Sequence, residues 1–337
     1  MLGENDGILR PNCNAKKKGV KMQEETSRIR MNRIRFAEEI SRQVLAVLGE
    51  GYETELSRVR KNNGVLKDVL HIRKAESECI PCFYMDELYR SYCSGESELL
   101  LAEQLADIVW NECERVREQV PDFLERDWIV SHLFIRMIQA ESNEEWLQDA
   151  VYVEYLDLLA VFYVLTEDAE EGIKSYQLPK NVWEALELGD AQAYFPTVVA
   201  NTRHLFPEKM WCVEHTVREC NISGTEQVST VLVPAKEYIS QQLYVLSNYR
   251  RINGAAVVLY PDLLRQLGEK FGGDFYVIPS SVHEVLLLKK TEEEEPERLN
   301  RTIQTVNEQQ VQPEEVLSNH VYLYSAEDAI LRSLTEV

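Results

Sequence analysis

From residue 243 onward the chain alternates short β-branched, apolar runs with stretches of helical period, and this order limits its fold more than any other feature. Residues 243–246 and 255–260 have strand character and are separated by a polar loop containing Asn253-Gly254. Pro261 stands where a helix can begin, and Leu263, Leu264, Leu267 and Phe271 give that helix one apolar face before Gly272-Gly273 ends it. Residues 275–278 and 282–288 read as strands around Pro279-Ser280-Ser281. Residues 299–311 read as a helix, 321–324 as a strand and 326–334 as a closing helix. The order β-β-α-β-β-α-β-α predicts an α+β protein with mixed or antiparallel sheets packed by helices.

Upstream, Ile34, Ala37, Ile40, Val44 and Leu48 recur at helical spacing, and the pattern fails at Gly49-Glu50-Gly51. A hairpin follows, because Lys61-Asn62-Asn63-Gly64 separates two extended runs and Asn-Gly tolerates positive φ at both turn positions. Residues 79–85 add a strand that Pro81 confines to an edge. Helices are expected over 86–92 and 98–117, and over 179–188 and 191–206, with Pro196 interrupting the last. The dense run 151–165 suits one or two core strands, although period alone leaves a buried helix open, and 167–172 reads as a solvated loop. Residues 1–30 are polar and read as a disordered extension. The rest divides into a small α+β domain over 31–120 and a larger one over 121–337.

The 337 residues carry 57 acids against 36 bases, a formal charge of −21. Such a chain repels a phosphate backbone unless it segregates its bases, so nucleic acid is not the expected partner; an unknown protein or small molecule is. No apolar run approaches the ~18 residues a membrane helix needs, and no apolar stretch follows Lys16-Lys17-Lys18 as a secretory signal would require. Seven irregularly spaced cysteines suit a reducing compartment, so a cytoplasmic protein is expected.

Motifs that could carry chemistry are few. Cys79-Ile80-Pro81-Cys82 has CxxC spacing, but it precedes the helix cap and lacks a βαβ setting. With Cys212 and His215 it could complete a zinc tetrahedron only if distant segments met, and ordinary cysteine burial is the simpler account. Ser281 and His283 share a strand face, so a hydrolase needs an acid beside them, and the carboxylate cluster at Asp149, Glu154 and Asp157 supplies only a weak candidate. Phosphate-binding loops, dinucleotide fingerprints and HExxH are absent from the sequence. No cofactor is expected.

Five blocks in order carry a resemblance: Lys61–Gly64, Tyr155–Tyr163, Gly254–Tyr260, Ile278–Val285 and Glu314–Tyr324. Together they resemble a bacterial family catalogued as domain of unknown function 5688, over residues 31–337. The resemblance implies a bacterial cytoplasmic protein and supplies no catalytic residues. It also implies Ser and Thr where Cys79 and Cys82 stand, which weakens the zinc and thiol readings. The expectation is therefore a non-enzymatic binding or regulatory protein, with Asn253, Pro279, Ser280, Ser281 and His283 as the candidate surface where loops meet strands. The alternative is a hydrolase-like enzyme using His283 with Ser281.

Overall fold

The computed structural model describes residues 32–75, 80–123, 125–145, 147–169, 172–212, 243–279, 281–291 and 295–334. Helix α1 (Arg33–Leu48) starts where the Asn32 side chain accepts the Arg35 N–H, and it buries Phe36, Ile40, Val44 and Leu48 at a spacing of four. Gly49, at φ 83°, releases the chain into β1 (Tyr52–Arg60). The Asn-Gly turn leads to β2 (Leu66–Lys74), and β3 (Cys82–Tyr84) pairs with β2 as an edge. Helices α2 (Met85–Ser94) and α3 (Glu98–Phe123) complete this layer. Its core joins Phe36, Ile40, Leu70, Ile72, Leu105 and Val109.

The remaining residues build two sheets that share one core. After α4 (Arg126–Ser131), β4 (Leu133–Gln139), β5 (Tyr152–Tyr155), β6 (Leu158–Ala169) and β7 (Gly172–Gln177) form an antiparallel sheet in which β6 pairs with the other three. Helices α5 (Lys180–Ala185) and α6 (Ala191–Leu205) follow. The last sheet takes β8 (Glu208–Cys212), β9 (Tyr244–Asn248), β10 (Phe275–Ile278), β11 (Val285–Lys289), β12 (Tyr322–Ser325) and β13 (Ile330–Ser333), in the order β13-β12-β10-β11-β9-β8. Helices α7 (Leu263–Phe271) and α8 (Pro296–Gln310) lie between its strands in sequence. One apolar cluster runs from Ile135 and Phe162 through Val257 to Val285 and Tyr322, so both sheets bury against each other's faces.

The protein is α+β, and every strand pairing among the described residues is antiparallel. Local expectations differ from it in several places. Helix α6 runs from Ala191 to Leu205 through Pro196 without the expected interruption. Residues 255–260 form a 3-10 helix, Gly254–Leu259, and not a strand, because Asn253 turns left-handed at φ 53° and the segment is buried on every side with no alternation. The acidic run after Leu165 continues β6 to Ala169, paired with β7 through Glu167–Lys174 contacts beyond a bulge, and not as a loop. The chain closes in strand β13, which pairs with β12, and not in a helix. Among the described residues, no helix is long and apolar enough to cross a membrane.

Candidate functional site

The strip from Pro313 to Tyr322 receives contacts from distant parts of the chain. The turn between β1 and β2 reaches it first. Asn63 adopts φ 60°, which asparagine tolerates, and that conformation aims both asparagine amides away from their own hairpin. Asn62 Nδ2 donates to Glu314 O at 2.8 Å, and Asn63 Nδ2 donates to Pro313 O at 2.8 Å and Val316 O at 2.7 Å. Asn62 is 3% exposed, which is unusual for a hairpin turn.

The turn between β5 and β6 reaches the same strip from the other side. Leu156 takes a left-handed φ of 58° and presents Asp157 to three donors. Ser318 Oγ and His320 Nδ1 each lie 3.0 Å from Asp157 Oδ2, and the Tyr322 hydroxyl donates to Oδ1 at 2.5 Å. Burial, reinforced by the Asp157 charge, drives the Tyr322 phenol far above its ordinary range, so it stays a donor. Asp157 thus ties the first large sheet to the second.

The third contact comes from residues 278–285. Val282 N–H donates to Glu315 O at 2.9 Å, Ser281 bridges Val316, and Ser318 N–H donates to Pro279 O at 2.9 Å. The 3-10 helix is threaded beneath. A Cβ on Gly254 would stand 2.0 Å from Ser247 Oγ and 2.5 Å from His283 O, so only glycine fits. All five blocks that carry the resemblance therefore meet at or beside this strip.

The structure brings Asn253, Pro279, Ser281 and His283 near one another, but Pro279 and Ser281 are buried and, of the four, Asn253 and His283 reach the cleft described below; Ser280 lies outside the described residues. Ser281 and His283 do not form a nucleophile–base pair. The Ser281 hydroxyl is buried and accepts the backbone N–H of His283 at 3.1 Å. The imidazole turns elsewhere: Nδ1 accepts from Asn253 N–H at 3.2 Å, and Nε2 faces Glu315 Oε1 at 3.5 Å. The His283 hydrogen bond holds the Glu315 carboxyl below its ordinary range despite its burial.

His283 and Asn253 form one wall of a cleft of about 590 Å³ between the first layer and the two-sheet body. Lys61, Asn62, Tyr84 and Arg90 come from the first layer. Arg136, Tyr163 and Gln177 come from β4, β6 and β7, and Glu314 and Glu315 come from the strip. The Lys61 ammonium sits 4.7 Å above the Tyr84 ring, and the Arg136 guanidinium lies 5.8 Å from the Tyr163 ring centre. Eight side-chain polar atoms among the described residues are sealed from solvent without a hydrogen-bond partner. Four of them belong to residues lining this cleft: Asn62 Oδ1, Arg136 Nε, Gln177 Oε1 and Glu314 Oε2. Such atoms cost about 1–3 kcal/mol each, so their collection at one place calls for an explanation. Of these residues, only Asn62 carries a sequence signal, in its hairpin turn. Arg136 is the one basic residue in an apolar strand, a signal that period-based reading passes over.

The sulfur candidates are scattered. Cys82 is a free thiol, Cys212 stands at the end of β8, and Cys79 and His215 lie outside the described residues. Cys82 Sγ is 3.0 Å from His71 Nδ1, whose Nε2 is 2.7 Å from Ser57 Oγ, a chain set by cross-strand register. Burial raises the Cys82 thiol above its ordinary range, which works against a thiolate. Among the described residues no group of three or more His, Cys, Asp or Glu is placed to hold a metal ion.

Three antiparallel sheets packed by helices make this an α+β protein and define no activity. A family model described as "Family of unknown function (DUF5688)" matches residues 34–326, and the chain belongs to that family. No curated protein and no solved structure matches the chain.

Proposed function

We propose that this chain is a bacterial cytoplasmic binding protein, without catalytic chemistry of its own, that seats a small molecule in the cleft between the first layer and the two-sheet body. The observation that carries this reading is a cleft lined by charged and polar side chains from both the first layer and the two-sheet body. The cleft's volume of about 590 Å³ also falls in the range of small-molecule sites. The engagement of the Ser281 hydroxyl with backbone, away from the imidazole, favours binding over hydrolysis. Free thiols at Cys82 and Cys93 and the family resemblance support the cytoplasmic, bacterial setting.

Hydrogen exchange with and without a protein-free bacterial metabolite extract tests the reading. Slowed exchange confined to the turn at Lys61–Gly64, α2, β7 and residues 281–283 is expected. Protection elsewhere, or none, would remove the cleft from consideration.

A further inference from the structure

The charges of the cleft are distributed unlike those of the chain. In a protein of net charge −21, the cleft is lined by five Lys and Arg residues and four Asp and Glu residues. Most are already matched: Arg33 holds Asp86 at 2.5 Å, Lys67 holds Glu314 at 2.7 Å, and Arg60 holds Glu145 at 2.6 Å. Glu315 faces His283. What is left over still leans positive. Lys61, Arg90 and Arg136 have no ion-pair partner among the described residues, against Glu87 and Glu315, the latter facing an imidazole that is charged only when protonated.

The three cations also come from both sides of the cleft. Lys61 and Arg90 belong to the first layer, and Arg136 belongs to β4 of the body. Both Lys61 and Arg136 are set against aromatic faces, which hold a cation in place without neutralising it.

We infer that the ligand is a small anion, carrying carboxylate or phosphate groups, that bridges Lys61 and Arg90 on one side to Arg136 on the other. This rests on the cleft being the binding seat. Anion oxygens would meet the guanidinium of Arg136 and the ammonium of Lys61.

Titrations of the full chain with citrate, inorganic phosphate, neutral glucose and cationic spermidine test the class, read by the NMR signals of the His283 imidazole and by calorimetry. Citrate or phosphate is expected to move the His283 signals, and whichever does so names the anionic group. Arg136→Gln and Lys61→Gln are each expected to weaken that response about 10- to 100-fold. Lys61→Gln lies on a half-buried turn, so it remains informative if the Arg136 variant folds poorly. A His283 response to glucose or spermidine alone, or an anion response indifferent to both substitutions, overturns the anion class while leaving the cleft as a seat. No response to any probe also overturns the class. The cleft itself is judged separately, by the exchange experiment, and falls if that shows no protection there.

Discussion

Asn63 and Asn143, 80 residues apart, hold each other by two hydrogen bonds: Asn63 N–H donates to Asn143 Oδ1 at 2.8 Å, and Asn143 Nδ2 returns one to Asn63 Oδ1 at 3.1 Å. The first layer thereby meets the body through a hairpin tip, where a turn would ordinarily face water. The cleft lies beside this junction, so the pair sets the spacing of its two walls.

Asn63→Gly keeps the left-handed backbone and removes the side-chain bonds to Asn143, Pro313 and Val316. Loss of about 2 kcal/mol is expected in urea unfolding. A cycle with Asn143→Ala should give a coupling of about 1 kcal/mol, and strict additivity would refute the pairing.

The Asp157 junction should cost more. Asp157→Asn takes the charge from three donors, and a loss of about 2–4 kcal/mol is expected, with Tyr322→Phe costing about 1–2 kcal/mol. Equal and negligible losses in both variants would show that the contact is not structural.

Gly254→Ala has no space to enter. Its Cβ would also stand 2.8 Å from Asn248 N, so a loss of about 3 kcal/mol, or insoluble protein, is expected. Gly272→Ala is the comparison. It meets open space at φ +75° and should cost only about 1–2 kcal/mol, read from the same unfolding curves.

Glu284 is 4% exposed, and burial pushes its carboxyl from the ordinary 4.5 up to about 7, with Arg251 pulling in the opposite direction. The native chain then keeps a proton that the unfolded chain releases, so this group's contribution to stability falls as pH rises from about 4.5 to about 7 and is level above. Glu284→Gln should flatten that decline and stabilise the protein by about 1–3 kcal/mol at alkaline pH. An unchanged slope in the variant would assign the decline to other groups.

The sequence exposed local structure well and long-range structure poorly, for identifiable reasons. The α1 face, the Asn-Gly turn, the edge strand at Pro81 and the two strands of 151–165 follow from period, turn chemistry and missing N–H groups, all local properties. Residues 255–260 have strand-like composition yet lie mostly in the 3-10 helix Gly254–Leu259, because the apolar run is short and Gly254 packs against Ser247 and His283, which no local pattern encodes. At the candidate site, Asn253, Ser281 and His283 stood out by their loop positions. Arg136, Gln177 and Glu314 did not, because each is an ordinary residue of its own element that becomes unusual only when sheet pairing brings it to a common wall.

The central claim is that the cleft is where the chain binds. Ser175 is an exposed residue of β7 on the cleft lining, so Ser175→Trp places a bulky ring in the opening without disturbing the core. Native mass spectrometry after exposure to the metabolite extract should show a small-molecule adduct on the parent chain and none on Ser175→Trp, with the unfolding midpoint of the unliganded protein unchanged. An adduct retained at full occupancy by the blocked variant would contradict the account.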